Sequence, residues 1–177
     1  HEAAPFKVVD PGVNAILLRS CADLAVLADD LGEHTIAEAS RAHVSAGIAA
    51  LETLWSDDSG QYLCFDRAEG KHVDSLSVGG LLPCFAPIPS DRMDRLASRI
   101  KKLAETARYL VPSHDPSDPR FDGRRYWRGP AWLIVNYMIA DGLVSSGQVE
   151  VAERIEAASL RLIEKGFAEY YEPISGE

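Results

Sequence analysis

Apolar residues recur along most of this chain at three- and four-residue intervals, the period of a helix face. From Pro11 to Gly32, "PGVNAILLRSCADLAVLADDLG", they cover most of the helical circumference. That predicts a largely buried helix of about five turns, with Asp10-Pro11-Gly12 as the turn before it and Gly32 as its stop. A second helix follows at once in "HTIAEASRAHVSAGIAALETLW". Ile36, Ala39, His43, Ala46, Ala50, Leu51 and Leu54 form its predicted inner face, with His43 against the core, and Glu38, Arg41 and Glu52 lie elsewhere on the wheel. A mostly buried helix joined to an amphipathic one by a short loop is an αα-hairpin.

The helical period stops at "SDDSGQYLCFDRAEGKHV". Gln61–Phe65 reads as a strand, Arg67–Gly70 as a turn and Lys71–Val73 as a return strand, so a β-hairpin is expected here. Asp57, Asp58 and Asp66 match no calcium-loop spacing and read as solvated turn residues. "SLSVGGLLPCFA" predicts a short helix cut off by Pro83. Ser90-Asp91 caps a helix whose inner face is Met93, Leu96, Ile100, Leu103, Ala107 and Leu110. "VPSHDPSDPRFDGRR" is a long loop rich in proline and aspartate, of a length that often carries function. Pro130 opens the next apolar helix, which is expected to run to Gly142. An amphipathic helix ending at Gly166 and an extended segment, "FAEYYEPISGE", complete the chain. The fold class is mainly α. A toroid of inner and outer helices fits this series of hairpins, and so does a solenoid, although no 34-residue repeat is visible.

Charge narrows the functions. Lys plus Arg is 18 and Asp plus Glu is 27, a net charge of −9 over 177 residues. That argues against a nucleic-acid partner or an anionic membrane surface and leaves small neutral ligands open. No apolar run is expected to reach the length of a membrane span. Cys21, Cys64 and Cys84 form neither a disulfide framework nor a zinc site, and read as buried thiols of a reducing, cytoplasmic compartment. His34, His43, His72 and His114 make no metal pair at helical or hairpin spacing, so neither metal nor cofactor is expected. His34, His72 and His114 are expected to be exposed.

"RRYWRGPAWLIVNYMIADGL" concentrates the candidate chemistry. A sugar pocket needs flat apolar faces for C–H surfaces and fixed donors for hydroxyls. Trp127 and Trp132 supply faces, Arg128 supplies a rigid fork of donors, and Tyr126 adjoins them. Asn136 falls one turn beyond Trp132 on the same helix face, pointing to the same opening. A plain alternative fits the same residues: a helix N-terminus packed by aromatics, with Arg128 paired to a carboxylate.

"YWRGPAWLIVNYMI" closely resembles the Tyr-Trp-Arg-Gly-Pro-x-Trp…Asn-Tyr segment of bacterial members of glycoside hydrolase family 63. That family includes mannosylglycerate and glucosylglycerate hydrolases and related α-glucosidases, and the similarity extends less closely to trehalases of the same clan. "PFKVVDPGVNAILLRSCADLAVLADDLG", "ALETLWSDDSGQYLCFD" and "GFAEYYEPISGE" resemble three further family segments in the same order. The resemblance implies part of an (α/α)6 barrel, with a short β-hairpin and the active site at one end of the axis. It implies inversion at the anomeric centre by two carboxyl groups roughly 6.5–9.5 Å apart. The base of the family's Phe-x-Glu-Tyr segment corresponds to Glu169, which Phe167, Tyr170 and Tyr171 are expected to desolvate, with Glu172 and Glu177 as competitors. The family's acid lies in a tryptophan- and aspartate-rich loop upstream of the first helix here.

Residues 1–177 therefore read as a single partial catalytic domain, about half of the barrel, inactive alone. Its expected partners are a small carbohydrate and the remaining half of its own barrel. The implied substrate is a small α-glucoside or α-mannoside of the glycosylglycerate kind, or an α-glucan end. Two rival functions are a sugar epimerase on a similar barrel, which needs paired histidines, and a non-enzymatic helical scaffold.

Overall fold

Asp10 begins the ordered helical array by capping it. Its carboxylate accepts the Val13 amide at 2.9 Å and its carbonyl accepts Asn14 Nδ2 at 2.7 Å. In a computed structural model, whose description covers residues 7–177, α1 runs Pro11–Asp30 and α2 runs His34–Glu52. The expected turn at Asp10-Pro11-Gly12 is thus the N-cap and first helical turn, with proline at the position where its missing N–H costs nothing. Gly32, at φ 76°, ends α1 as expected.

The two helices form the predicted hairpin, but α1 is buried on one side only rather than over most of its surface, and α2 turns a different face inward from the one expected. The buried side of α1 is Pro11, Gly12, Ala15, Leu18, Ala25 and Ala28. Val13, Leu17, Leu24, Leu27 and Leu31 stay exposed, because α2 and the two short 3-10 turns described below cover only part of its circumference. With 20 residues, α1 is also long and apolar enough to cross a membrane, contrary to expectation. Within this fold it is tied to its neighbours, Arg19 reaching Asp141 of the fourth helix at 2.9 Å. On α2 the inner face is Ala37, Ser40 and Leu51, with Val44, Gly47 and Ile48 half-buried; Ile36, Ala39, His43, Ala46 and Ala50 face outward. Alanines surround this helix, so its period does not single out one side. Shape decides instead: a Cβ at Gly47 would run into the Leu18 side chain, so the α1–α2 approach goes through that glycine. Of the three cysteines only Cys84 is buried as expected, while Cys21 and Cys64 are half-buried.

The expected hairpin is present as a short antiparallel pair, Phe65–Asp66 with Lys71–His72, and it is one part of a set of five two-residue strands among the described residues. They are β1 (Val8–Val9), β2 (Trp55–Ser56), β3 (Gln61–Tyr62), β4 (Phe65–Asp66) and β5 (Lys71–His72). β2 pairs with β3, and β4 lies between β1 and β5, all antiparallel. The strand expected over 61–65 is broken because its two ends pair with different neighbours. The turn before Lys71 is as predicted: Asp66 Oδ1 accepts the Ala68 and Glu69 amides. Val78–Gly80 and Leu82–Phe85 are two 3-10 turns in place of one short helix, and Pro83 sits inside the second rather than ending the first.

α3 spans Ser90–Leu103 and buries Met93, Leu96, Ala97, Ile100 and Leu103. It stops well short of Leu110, although Ala107 and Leu110 are buried as expected. The Tyr109 amide donates to the Pro173 carbonyl at 2.8 Å, a bond to the C-terminal segment that helical geometry would forbid. α4 spans Leu133–Ser145 and α5 Val149–Ile163. Pro130 is not the first residue of α4. Ala131 exchanges two backbone hydrogen bonds with Tyr171, at 2.8 and 3.0 Å, which holds the chain extended up to Trp132. The core runs from α1 through the 3-10 turns and α3 to α4 and α5. The architecture is mainly α, built of the helical hairpins of an (α/α)6 barrel, with small sheets at its side.

Candidate active site

The long segment between α3 and α4 and the C-terminal segment meet at the Ala131–Tyr171 pair. Tyr171 fixes its own segment as well: its hydroxyl donates to the Gly166 carbonyl at 2.7 Å and accepts the Ala168 amide at 3.0 Å. This places Tyr126, Trp127 and Trp132 beside Glu169 and Tyr170.

The aromatic groups form a ledge. Trp127 stacks on Trp132 with ring centres 4.2 Å apart and planes 8° from parallel. Tyr126 meets both edge-on, and Trp132 Nε1 donates to the Tyr126 carbonyl at 3.2 Å. Such ring geometries favour the quadrupoles and hold large flat faces in fixed orientations. Trp132 is 7% exposed and Trp127 49%. The two tryptophans therefore divide their work. Trp132 is the support, and Trp127 carries the open face.

The Tyr126 hydroxyl donates to Glu169 Oε1 at 3.1 Å. That bond, followed by desolvation, holds the phenol above its ordinary pKa. Glu169 itself is exposed. Phe167, 97% exposed, does not wrap it, and Tyr171 is buried with its hydroxyl on backbone, so the expected apolar enclosure is absent on that side. Tyr170 packs in the same cluster, its ring 5.5 Å from Tyr126. The competing glutamates are occupied differently. Glu172 Oε2 accepts the Ile174 and Ser175 amides and closes a turn, while Glu177 pairs with Arg124. Glu169 is the glutamate of this segment that faces the ledge.

Two candidates behave otherwise than expected. Asn136 is 1% exposed and does not reach the opening. Its Oδ1 accepts the Val111 amide at 3.0 Å, and its Nδ2 donates to the Leu110 carbonyl at 2.8 Å. Because α4 starts after Trp132, this amide points into the protein and satisfies a buried stretch of backbone. Arg128 pairs with no carboxylate among the described residues. Its Nε and Nη2 donate to the Arg120 carbonyl at 3.2 and 3.0 Å, so neither the plain alternative nor a free guanidinium describes it fully.

His114 is buried, not exposed, with Nε2 3.2 Å from Asp118 Oδ2 although not aligned for a hydrogen bond. His114, Asp115 and Asp118 are among the buried polar residues that sequence reasoning misses. The signal was present in Asp118-x-Arg120, where an aspartate accepts the amide two residues on. Among the described residues no three His, Cys, Asp or Glu side chains converge as metal ligands.

Helical hairpins of this kind are those of the (α/α) barrel class of glycosidase folds. The chain belongs to the mannosylglycerate hydrolase MGH1-like glycoside hydrolase domain family, whose model matches residues 1–177. It is 41% identical to a mannosylglycerate hydrolase of Thermus thermophilus, over 100% of this chain and 43% of that protein. Identity to mannosylglycerate hydrolase MGH1 of Selaginella moellendorffii is 37%, over 97% of this chain and 36% of that one. Among solved structures, a family 63 mannosylglycerate hydrolase of Thermus thermophilus in complex with glucose superposes with a TM-score of 0.94 at 41% identity, covering 99% of this chain and 45% of that chain. Neutral trehalase Nth1 of Saccharomyces cerevisiae shares the fold at a TM-score of 0.75 and 15% identity, over 93% of this chain and 34% of that one. The chain spans less than half the length of the curated relatives it matches. Family and mainly-α fold are those the sequence led us to expect.

Proposed function

We propose that this chain carries the sugar ledge and the water-activating carboxylate of an inverting glycoside hydrolase for a small α-mannoside or α-glucoside of glycerate. One observation carries the reading: Tyr126, edge-on to the half-exposed Trp127, donates its hydroxyl to the Glu169 carboxylate. A pyranose lying with its C–H face on Trp127 presents its anomeric carbon to that edge. Glu169 then takes a proton from water as the water attacks the anomeric carbon. A second, protonated carboxyl group roughly 6.5–9.5 Å away protonates the leaving oxygen. The hydroxyl of Tyr126 orients the base, and Trp132 keeps Trp127 in place. Structures of the Thermus thermophilus relative in complex with glucose, and with Tris and D-glycerate, favour a hexose joined to glycerate over an α-glucan end. The described histidines do not gather at the ledge as epimerase chemistry would require: His43 is on the outer side of α2, His72 contacts the Thr53 carbonyl and His114 is buried.

Glu169→Gln in the complete enzyme tests the reading. Glutamine keeps the carbonyl that Tyr126 donates to but cannot take the proton. Turnover of mannosylglycerate should fall by roughly 10²–10⁴-fold with substrate affinity retained. Unchanged turnover would exclude Glu169 as the base.

A further inference from the structure

In the loop that leads to the ledge, two buried carboxylates face different parts of the molecule. Asp115 accepts the Ser117 amide and hydroxyl, both at 2.7 Å, and pairs with Arg99 on α3. Asp118 instead holds Arg120. It accepts the Arg120 amide at 2.8 Å, Nε at 2.9 Å and Nη2 at 2.6 Å. The Arg120 side chain is about half exposed, so packing alone does not fix it; the buried carboxylate does. With its amide and its guanidinium fixed, Arg120 turns its carbonyl to Arg128, which donates Nε and Nη2 to it.

Those bonds close a loop. The Asp122 amide donates to the Arg128 carbonyl at 2.8 Å, and the Arg128 amide to the Arg125 carbonyl at 2.7 Å. A Cβ at Gly129 would strike the Asp122 carbonyl, so the closure also needs that glycine. Tyr126 lies inside the loop at φ 35°, a conformation that L-residues avoid and that surrounding contacts have to maintain.

We propose that Asp118 is a positioning residue of the sugar ledge: by fixing Arg120 it fixes the carbonyl that holds Arg128, and so the turn that carries Tyr126 and Trp127. The inference rests on the glycosidase reading of the ledge. It gives a buried carboxylate remote from the reacting atoms a defined role in substrate binding. Asp115 is as deeply buried, and its carbonyl accepts the Asp118 amide, but it has no such role because its carboxylate faces α3.

The test compares Asp118→Asn and Arg120→Met with Asp115→Asn in the complete enzyme, using amide hydrogen exchange over residues 120–128, the kinetics of mannosylglycerate hydrolysis and Tm. Asp118→Asn and Arg120→Met should speed exchange at the Asp122 and Arg128 amides by roughly tenfold or more, reporting local opening. KM should rise by roughly tenfold with a smaller change in kcat, because a binding surface is loosened and the base is kept. Asp115→Asn should lower Tm without either effect. The proposal is overturned if Asp118→Asn and Arg120→Met leave exchange and KM unchanged, or if Asp115→Asn moves both as much. Should Asp118→Asn fail to fold, Arg120→Met, at an exposed side chain, decides alone. If the parent enzyme does not hydrolyse mannosylglycerate, the glycosidase reading fails, while the exchange rates still decide the positioning role.

Discussion

Trp127 and Trp132 have the same side chain and opposite exposure, and their substitutions should differ in kind. Trp127→Ala removes the open face and should raise KM with little loss of stability. Trp132→Ala removes a buried support and should cost roughly 3–5 kcal/mol of folding stability as well. Denaturant unfolding of both variants beside their KM values checks the division. Asn136 belongs with the second kind. Asn136→Ala strands the Val111 amide and the Leu110 carbonyl in the core, which should cost about 1–3 kcal/mol. Its unfolding midpoint should fall while the KM of the folded enzyme stays near that of the parent; a rise in KM without loss of stability would return Asn136 to the substrate site. From sequence, Trp132 and Asn136 share a helical face, but that inference assumes the helix has begun by Trp132. The partner that delays it, Tyr171, is remote in sequence and leaves no local trace.

At the scale of elements, the loop between α3 and α4 behaves as a structured unit held by carboxylates. Hydrogen bonds from Arg120, against an opposing cost of burial, keep the Asp118 carboxyl well below the ordinary carboxylate range. At Asp115 burial pushes upward but is outweighed by Ser117 and Arg99, so this carboxyl is lowered too. A depressed folded-state pKa stabilises the protein fully above the unfolded carboxylate range and ceases to do so as pH falls through the folded value. The Tm difference between parent and Asp118→Asn should therefore be steady at neutral pH and shrink only in strong acid, below that range; thermal melts across pH would show it. The hairpin of α1 and α2 offers a contrasting case. Gly47→Val should push α2 off Leu18 and cost roughly 1–3 kcal/mol, read by denaturant unfolding, whereas Ala46→Val on the exposed neighbour should be mild. Periodicity announces both helices, yet alanines on every side of α2 hide which face is inward.

At the scale of the molecule, two groups of exposed apolar side chains among the described residues lie away from the ledge. Val13, Leu17, Leu24, Leu27 and Leu31 run down one stripe of α1, and Ile134, Tyr137, Val144, Leu160 and Ile163 line the outer side of α4 and α5. Tyr137, Val144, Leu160 and Ile163 of the second set border a cavity of about 530 Å³ between those helices. Apolar stripes of this extent favour association. The 177-residue chain in isolation should bind a hydrophobic dye, and Leu24→Lys with Leu27→Lys should reduce that binding without lowering helix content by circular dichroism. Unchanged dye binding in the double variant would place the sticky surface elsewhere.

What the sequence determined by itself is local or motif-bound. Helical spacing gives the hairpins because one turn brings residues three and four apart onto one face, and Gly32 and Gly70 end their elements by adopting a backbone conformation that side chains resist. The Tyr-Trp-Arg-Gly-Pro and Phe-x-Glu-Tyr segments were enough to recognise the family. Tertiary structure alone decided where α4 begins, which tryptophan keeps an open face, that His114 is buried and that Arg128 rests on a carbonyl rather than a carboxylate. The start of α4 and the burial of His114 depend on pairings with segments distant in sequence, Tyr171 and Ser77, while the setting of Trp127 and Arg128 depends on how one loop closes on itself; the free energy of each contact belongs to both partners, so neither partner encodes it alone.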